Sequence, residues 1–152
     1  MPYKLGTRSK QKLSGVHPDL IAVVTKAISI STVDFTVLEG IRSVIRQREL
    51  YKAGKSTTMN SRHITGHAID LAPWPISWDW DEFYPIADAM KEAAEDLDIS
   101  IDWGGAWHLG SINGWDGSSE EAYNEYVSLR ESQGRTPFGD GPHFQLSREL
   151  YP

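Results

Sequence analysis

Two short segments constrain this chain more than any other feature: Ser61-Arg62-His63-Ile64-Thr65-Gly66-His67-Ala68-Ile69-Asp70 and Asp140-Gly141-Pro142-His143-Phe144. They lie far apart in sequence, yet together they carry what a catalytic metal site requires. Such a site takes three protein ligands and leaves the fourth position open for water. It also needs a base that stays off the metal and takes a proton from that water. We read His63, Asp70 and His143 as ligands of one zinc ion and Asp140 as the base. A fold that satisfies this reading must bring both segments to one point.

The first segment places His63 and Asp70 seven residues apart, with Gly66 and Ala68 between them. A loop running into a strand could aim both side chains at one spot. A continuous helix would also do so, but Gly66 and the β-branched Ile64, Thr65 and Ile69 disfavour it. The plain alternative is a structural histidine beside an aspartate. His67 competes as a ligand, because His63 and His67 are four apart, as on metalloprotease helices. Ile64 stands where the glutamate of that pattern belongs, so His67 stays open between ligand and packing roles. In the second segment Pro142 fixes the backbone ahead of His143, and Gly141 permits a tight turn. Taken alone, Asp140 reads as a turn-forming residue.

The 152 residues suit a single domain spanning 1–152, and 39% hydrophobic with 24% charged residues suits an ordered globule. The chain has no cysteine, which excludes thiol catalysis, disulfides and thiolate metal sites. A net charge of −6 argues against nonspecific nucleic-acid binding. Residues 1–12 nevertheless hold Lys4, Arg8, Lys10 and Lys12 and no acid. We read 1–15 as a basic N-terminal arm, either solvated or touching an anionic polymer. No apolar run approaches a membrane span, and no apolar stretch suits a secretory signal. The expectation is synthesis in the cytoplasm without stable membrane association.

Hydrophobic spacing predicts helices over 17–30, from Gly40 to Tyr51, over Asp81–Leu97 and over Ser118–Ser132. Strands are expected at Asp34–Leu38, Ala68–Leu71, Ile99–Trp103 and His143–Leu146, with Pro73 and Pro75 stopping the second. Ser56–Arg62 reads as a loop, and 104–118 as a long surface loop rich in Gly, Trp and Ser. These elements lack regular βαβ spacing, which favours an α+β domain with a small antiparallel sheet and flanking helices. Six tryptophans are many for this length, and some should line a groove. Trp103 and Trp107 are the candidates, with core packing the alternative for Trp103. Arg42, on the first turn after a strand, could clamp a substrate carboxylate bidentately. Its plain alternative is a surface ion pair.

Ser-x-His-x-x-Gly-x-Ala-x-Asp followed by Asp-x-Pro-His-Phe resembles the VanY-like D-alanyl-D-alanine carboxypeptidase family of zinc peptidases. The phage endolysin branch, the L-alanyl-D-glutamate peptidases, is the nearer likeness. Val16-His17-Pro18-Asp19-Leu20, Glu39-Gly40-Ile41-Arg42, Arg46-Gln47, Gly54-Lys55-Ser56 and Trp103-Gly104-Gly105 extend it over nearly the whole chain. The resemblance implies zinc on His63, Asp70 and His143, a general base at Asp140, and substrate contacts from Arg42 and Ser61. It implies a fold shared with Hedgehog signalling domains and bacterial peptidoglycan as the partner. It further implies a monomer held in the host cytoplasm until a holin lets it reach the cell wall. Many relatives carry an acid where Ala106 stands, and the stretch from Ala106 to Pro137 is long for the family. We read 104–138 as a long loop and helix insertion, either a lid or a surface that narrows substrate choice.

Three rival readings share these residues. A D-alanyl-D-alanine carboxypeptidase or dipeptidase would use the same ligands on a different bond. A non-catalytic zinc-containing domain could bind peptidoglycan without turnover. A zinc-stabilised structural domain would need His67 or His108 to close the coordination shell.

Overall fold

Four short strands carry the alternation expected of a sheet with two unlike faces. The computed structural model describes residues 2–152. In chain order the elements are α1 (Thr7–Lys12), α2 (Pro18–Ile30), β1 (Phe35–Glu39), α3 (Val44–Lys52) and β2 (Ala68–Pro73). There follow α4 (Trp80–Leu97), β3 (Ile101–Trp103), a 3-10 turn (Trp107–Leu109), α5 (Ser119–Ser132) and β4 (His143–Leu146). The sheet is antiparallel throughout, in the order β1-β2-β4-β3. The expected α+β architecture with a small antiparallel sheet is what the chain forms.

One face of the sheet is core. Ile69, Leu71, Ile101, Trp103, Phe144 and Leu146 are each at most 1% exposed. Helices α2 and α4 cover this face and pack on each other. In α4 the apolar stripe Phe83, Ile86, Ala87, Met90 and Ala94 is buried, as its helical spacing requires. Each buried leucine or isoleucine contributes about 1.5–3 kcal/mol of transfer free energy. The opposite face carries Asp70, Asp102, His143 and Gln145, because residues two apart on a strand share a side.

Several sequence expectations move. The helix expected from Gly40 begins at Val44, where Ser43 caps it by accepting from the Arg46 N–H. Arg42 therefore lies in the link before the helix. Strand β2 runs through Pro73, which pairs opposite Phe35 at the sheet edge. The N-terminal arm is not free. Leu5 and Leu13 are buried, and α1 lies on β1, where Ser9 Oγ accepts from the Val37 N–H and contacts Thr36 Oγ1 at 3.0 Å. Basic residues on one side of a short helix left its apolar anchors inconspicuous. The 104–118 stretch is also anchored: Ala106 and Ile112 are buried, and the Ile112 N–H bonds the Ile101 carbonyl. Helix α5 opens with a full capping box between Ser118 and Glu121. Its Tyr123 stacks on Trp80 of α4 with ring centroids 3.9 Å apart.

Candidate metal centre

Strand register brings the two motif segments together. Asp70 of β2 lies directly opposite His143 of β4, so two proposed ligands are cross-strand neighbours on the open face. His63 arrives from the turn just before β2. Gly66 makes this turn possible with φ +76°, and a side chain there would meet the Gly15 carbonyl at 2.6 Å.

Each imidazole has its outer nitrogen occupied. His63 Nδ1 lies 2.9 Å from the Gly40 carbonyl, and His143 Nε2 lies 2.8 Å from Gln145 Oε1. Both partners are acceptors, so both nitrogens donate. The inner nitrogens face Asp70 Oδ1, at 3.3 Å from His63 Nε2 and 3.4 Å from His143 Nδ1. Those separations match the edge of a zinc tetrahedron, about 3.3 Å for bonds of about 2.0–2.1 Å. One donor atom from each of the three residues falls within 4.8 Å of the others, and this is the one such group among the described residues.

Asp70 Oδ1 is buried with no hydrogen-bond partner. Neutral imidazoles would leave this oxygen facing two lone pairs, a costly arrangement unless a proton or a cation enters. Without a cation, protons do. Burial raises the Asp70 carboxyl, but the facing imidazoles of His143 and His63 outweigh it and hold the group well below the usual carboxylate range. Burial lowers His143, and the facing Asp70 carboxylate more than reverses it, leaving the imidazole raised. An unpartnered oxygen between two lone pairs fits a divalent cation. The donor set, two nitrogens and a carboxylate oxygen with no thiolate, fits zinc.

Asp140 lies three residues ahead of His143, and together with His63, Asp70 and His143 it lines a cavity of about 400 Å³. Its backbone N–H bonds the Gly104 carbonyl at 2.8 Å, and its own carbonyl accepts from the His143 N–H at 3.1 Å. Only glycine fits at 104, since a Cβ there would fall 2.2 Å from the Asp140 carbonyl oxygen. The Asp140 side chain reaches solvent but is hemmed in by protein. That partial desolvation raises its carboxyl, with the attraction of His143 opposing.

Arg42 stands at the cavity wall with its fork largely committed. Nε and Nη2 donate to Glu39 at 2.6 Å each, Nη1 donates to Gln47 at 2.7 Å, and Nη2 sits 4.0 Å from Asp70 Oδ2. The Glu39 bond and charge raise Arg42 against the opposing effect of burial. A bulge puts Glu39 there: Val37 faces Leu71 but Glu39 faces Asp70, so β1 uses one extra residue. Of five guanidinium N–H groups, two remain free. Ser61 lines the cavity, and its Oγ accepts from the His63 N–H at 3.2 Å.

Trp103 corrects the sequence reading. It is 1% exposed, stacks on Phe144, and donates its indole N–H to the Gly141 carbonyl at 2.8 Å. It supports the Asp140–His143 turn from beneath and does not contact the cavity. Its odd position on β3 puts it on the core face with Ile101. Trp107 does line the cavity, with its ring 5.5 Å from that of His143. His67 and His108 lie outside the cluster. His67 Nδ1 is 2.6 Å from Thr65 Oγ1, and His108 Nε2 is 3.0 Å from Glu125. Neither closes the shell, so the structural-zinc reading loses its fourth ligand.

The sequence reading gave no role to four residues that build this site, although Glu39 and Gln47 stand in segments that carry the resemblance. Glu39 and Gln47 hold Arg42, and Gln47 is fully buried, donating to Ser56 Oγ and to the Thr58 carbonyl. Gln145 and Asp102 stand behind His143. Period-two spacing from His143 and a lone acid in Ile101-Asp102-Trp103 were the available signals.

A family model described as phage L-alanyl-D-glutamate peptidase matches residues 1–146. The L-alanyl-D-glutamate peptidase of Escherichia phage T5 is 35% identical over 115 residues, covering 71% of this chain and 84% of that one. The crystal structure of the Serratia marcescens L-Ala D-Glu endopeptidase ChiX superposes with a TM-score of 0.75 at 38% identity, over 99% of this chain and 95% of that one. With both motif segments converging inside that shared fold, the chain belongs to the phage L-alanyl-D-glutamate peptidase family.

Proposed function

We propose that this protein is a zinc-dependent endopeptidase that cuts the L-alanyl–D-glutamate bond in the stem peptide of bacterial peptidoglycan. The observation that carries the proposal is the buried, unpartnered Asp70 Oδ1 between the inward nitrogens of His63 and His143. Beside it stands a carboxylate, Asp140, that no ligand role requires. Family membership supplies the bond. Peptidoglycan as partner, the monomeric state, and a stay in the host cytoplasm until holin-dependent release to the wall belong to the same proposal. Among the described residues no helix is long and apolar enough to cross a membrane.

In this reading His63, Asp70 and His143 hold the ion. A zinc ion bound there would polarise a water molecule and the scissile carbonyl. Asp140 takes the proton from the attacking water and returns it to the departing amine. Its partial burial favours its taking up a proton. Arg42 stands 4.0 Å from Asp70 Oδ2 and offers its two free N–H groups to the anionic peptide. Ser61 and Trp107 shape the wall along which the peptide lies.

A mass-spectrometric digest of peptidoglycan, with chelation and zinc re-addition, tests this. New N-terminal D-glutamate that disappears on chelation is expected. Release of terminal D-alanine would assign a carboxypeptidase instead. Zinc-loaded protein that binds peptidoglycan without cutting it would make the chain a binding domain.

A further inference from the structure

His63 and His143 are held by different means. His63 donates to a backbone carbonyl, which can only accept and cannot flip. His143 is held by a side-chain amide, which can present either end. We infer that Gln145 and Asp102 are positioning residues that keep the Nδ1 lone pair of His143 turned toward Asp70 and His63. The inference rests on the zinc reading above for what that lone pair would hold.

The polarity follows without a free choice. Asp102 Oδ1 accepts from Ser147 Oγ at 2.7 Å, and Oδ2 accepts from Gln145 Nε2 at 3.3 Å. An ionised carboxylate has acceptors only, so the Gln145 amide must turn its NH₂ toward it. Its carbonyl end then faces His143 Nε2 at 2.8 Å. An acceptor there demands a hydrogen on Nε2. The neutral ring carries one N–H, so the lone pair is on Nδ1, the nitrogen 3.4 Å from Asp70 Oδ1. Ser147 in turn contacts Ser100 Oγ at 2.8 Å, and Ser100 donates to Ser111 at 2.8 Å, which ties Asp102 to a hydroxyl chain away from the cavity.

Strand geometry builds this relay. His143 and Gln145 are two apart on β4 and share its open face. Asp102 of β3 is the register partner of Gln145, as Asp70 of β2 is of His143. Three adjacent strands thus contribute the metal-facing carboxylate, the imidazole with its amide, and the orienting carboxylate in one row. Partners of this kind typically change metal affinity by about 10–100-fold when removed.

The test measures zinc affinity of the full chain by competition with a chromophoric chelator. Gln145→Leu should weaken binding by about 10–100-fold. Asp102→Asn should also weaken it, because the Gln145 amide loses the acceptor-only neighbour that dictates its orientation. The double variant Gln145→Glu with Asp102→Asn should return toward wild type. Its new carboxylate accepts from His143 and from the new amide, whose oxygen still accepts from Ser147. A merely structural pair would show no such rescue. Wild-type affinity in Gln145→Leu, or a double variant no tighter than Asp102→Asn, would overturn the inference. Thermal unfolding of the zinc-free variants reports folding, and the double variant decides the matter if Gln145→Leu does not fold. In zinc-free wild type in alkaline buffer, imidazole nitrogen shifts should show the Nε2–H tautomer of His143. An Nδ1–H tautomer would refute the positioning even in a protein that takes no zinc. Wild type without zinc affinity but with the Nε2–H form would refute the zinc reading alone.

Discussion

The two faces of the sheet use the same strands, the same ladder and the same twofold alternation, yet follow opposite rules. On the core face Ile69, Leu71, Ile101, Phe144 and Leu146 belong to the buried apolar cluster, and any loss of volume is a loss of stability. On the open face Asp70, Asp102, His143 and Gln145 are linked into a row of polar contacts that leaves Asp70 Oδ1 unpartnered. A polar row of this kind contributes little to folding and much to binding, because its unmet valence is a place for a ligand. The lesson is that one register determines both the packing of the fold and the geometry of the site.

The largest expected effect falls on the open face. His143→Ala should abolish both zinc binding and peptidoglycan cleavage, read by metal analysis and digest, while the protein still unfolds cooperatively. A variant that keeps zinc would remove His143 from the ligand set. Next, Asp140→Asn should lower turnover by about 10²–10⁴-fold with metal content unchanged, since it removes a general base alone. Loss of zinc in this variant would show that Asp140 is a ligand.

The core face should answer differently. Leu71→Ala is expected to destabilise the protein by about 2–5 kcal/mol in denaturant titration, with zinc affinity of the folded fraction unaltered. A stability change under about 1 kcal/mol would mean that the sheet is not packed as described.

Acidity separates metal-free from metal-loaded protein. Asp70, depressed below its ordinary 3.8, contributes stability that is present above that value and lost as pH falls through the folded pKa. His143, raised above its ordinary 6.5, contributes stability that is present below that value and lost as pH rises through the folded pKa. Chelated protein should therefore be most stable between these two values and lose melting temperature in alkaline buffer. Zinc-loaded protein should not, because metal displaces the His143 proton and binds better as pH rises. Parallel melting curves for the two forms would break the proposed link between cluster and metal. The smallest effect is expected for Trp107→Ala. It should raise KM for the peptide a few-fold with kcat nearly unchanged, the pattern of lost uniform binding.

Much of this was legible beforehand. The helices of 18–30, 80–97 and 119–132 follow from apolar spacing and caps, and β4 follows from its alternation. The convergence of His63, Asp70 and His143 was readable because residue types and spacing narrow the chemistry sharply. Trp103 stayed open between groove wall and core for a definite reason. Amphipathic tryptophan suits both core and cleft, and only the parity of β3 relative to its neighbours decides which. Arg42 stayed open between clamp and ion pair because its partner, Glu39, turns toward it only through a bulge that no local pattern announces.

The sequence by itself determined which side chains could be offered to a metal, the presence of a further carboxylate three residues before His143 and the class of fold, because these depend on residue identity and on short-range periodicity. Tertiary structure alone decided which residues stand behind the donors. Asp102 comes to face Gln145, and Asp70 to face His143, only once strands from separate segments fall into one register. Cross-strand neighbours are set by pairing between segments that share no local interaction, so their identity is a property of the folded sheet and not of any stretch of the chain.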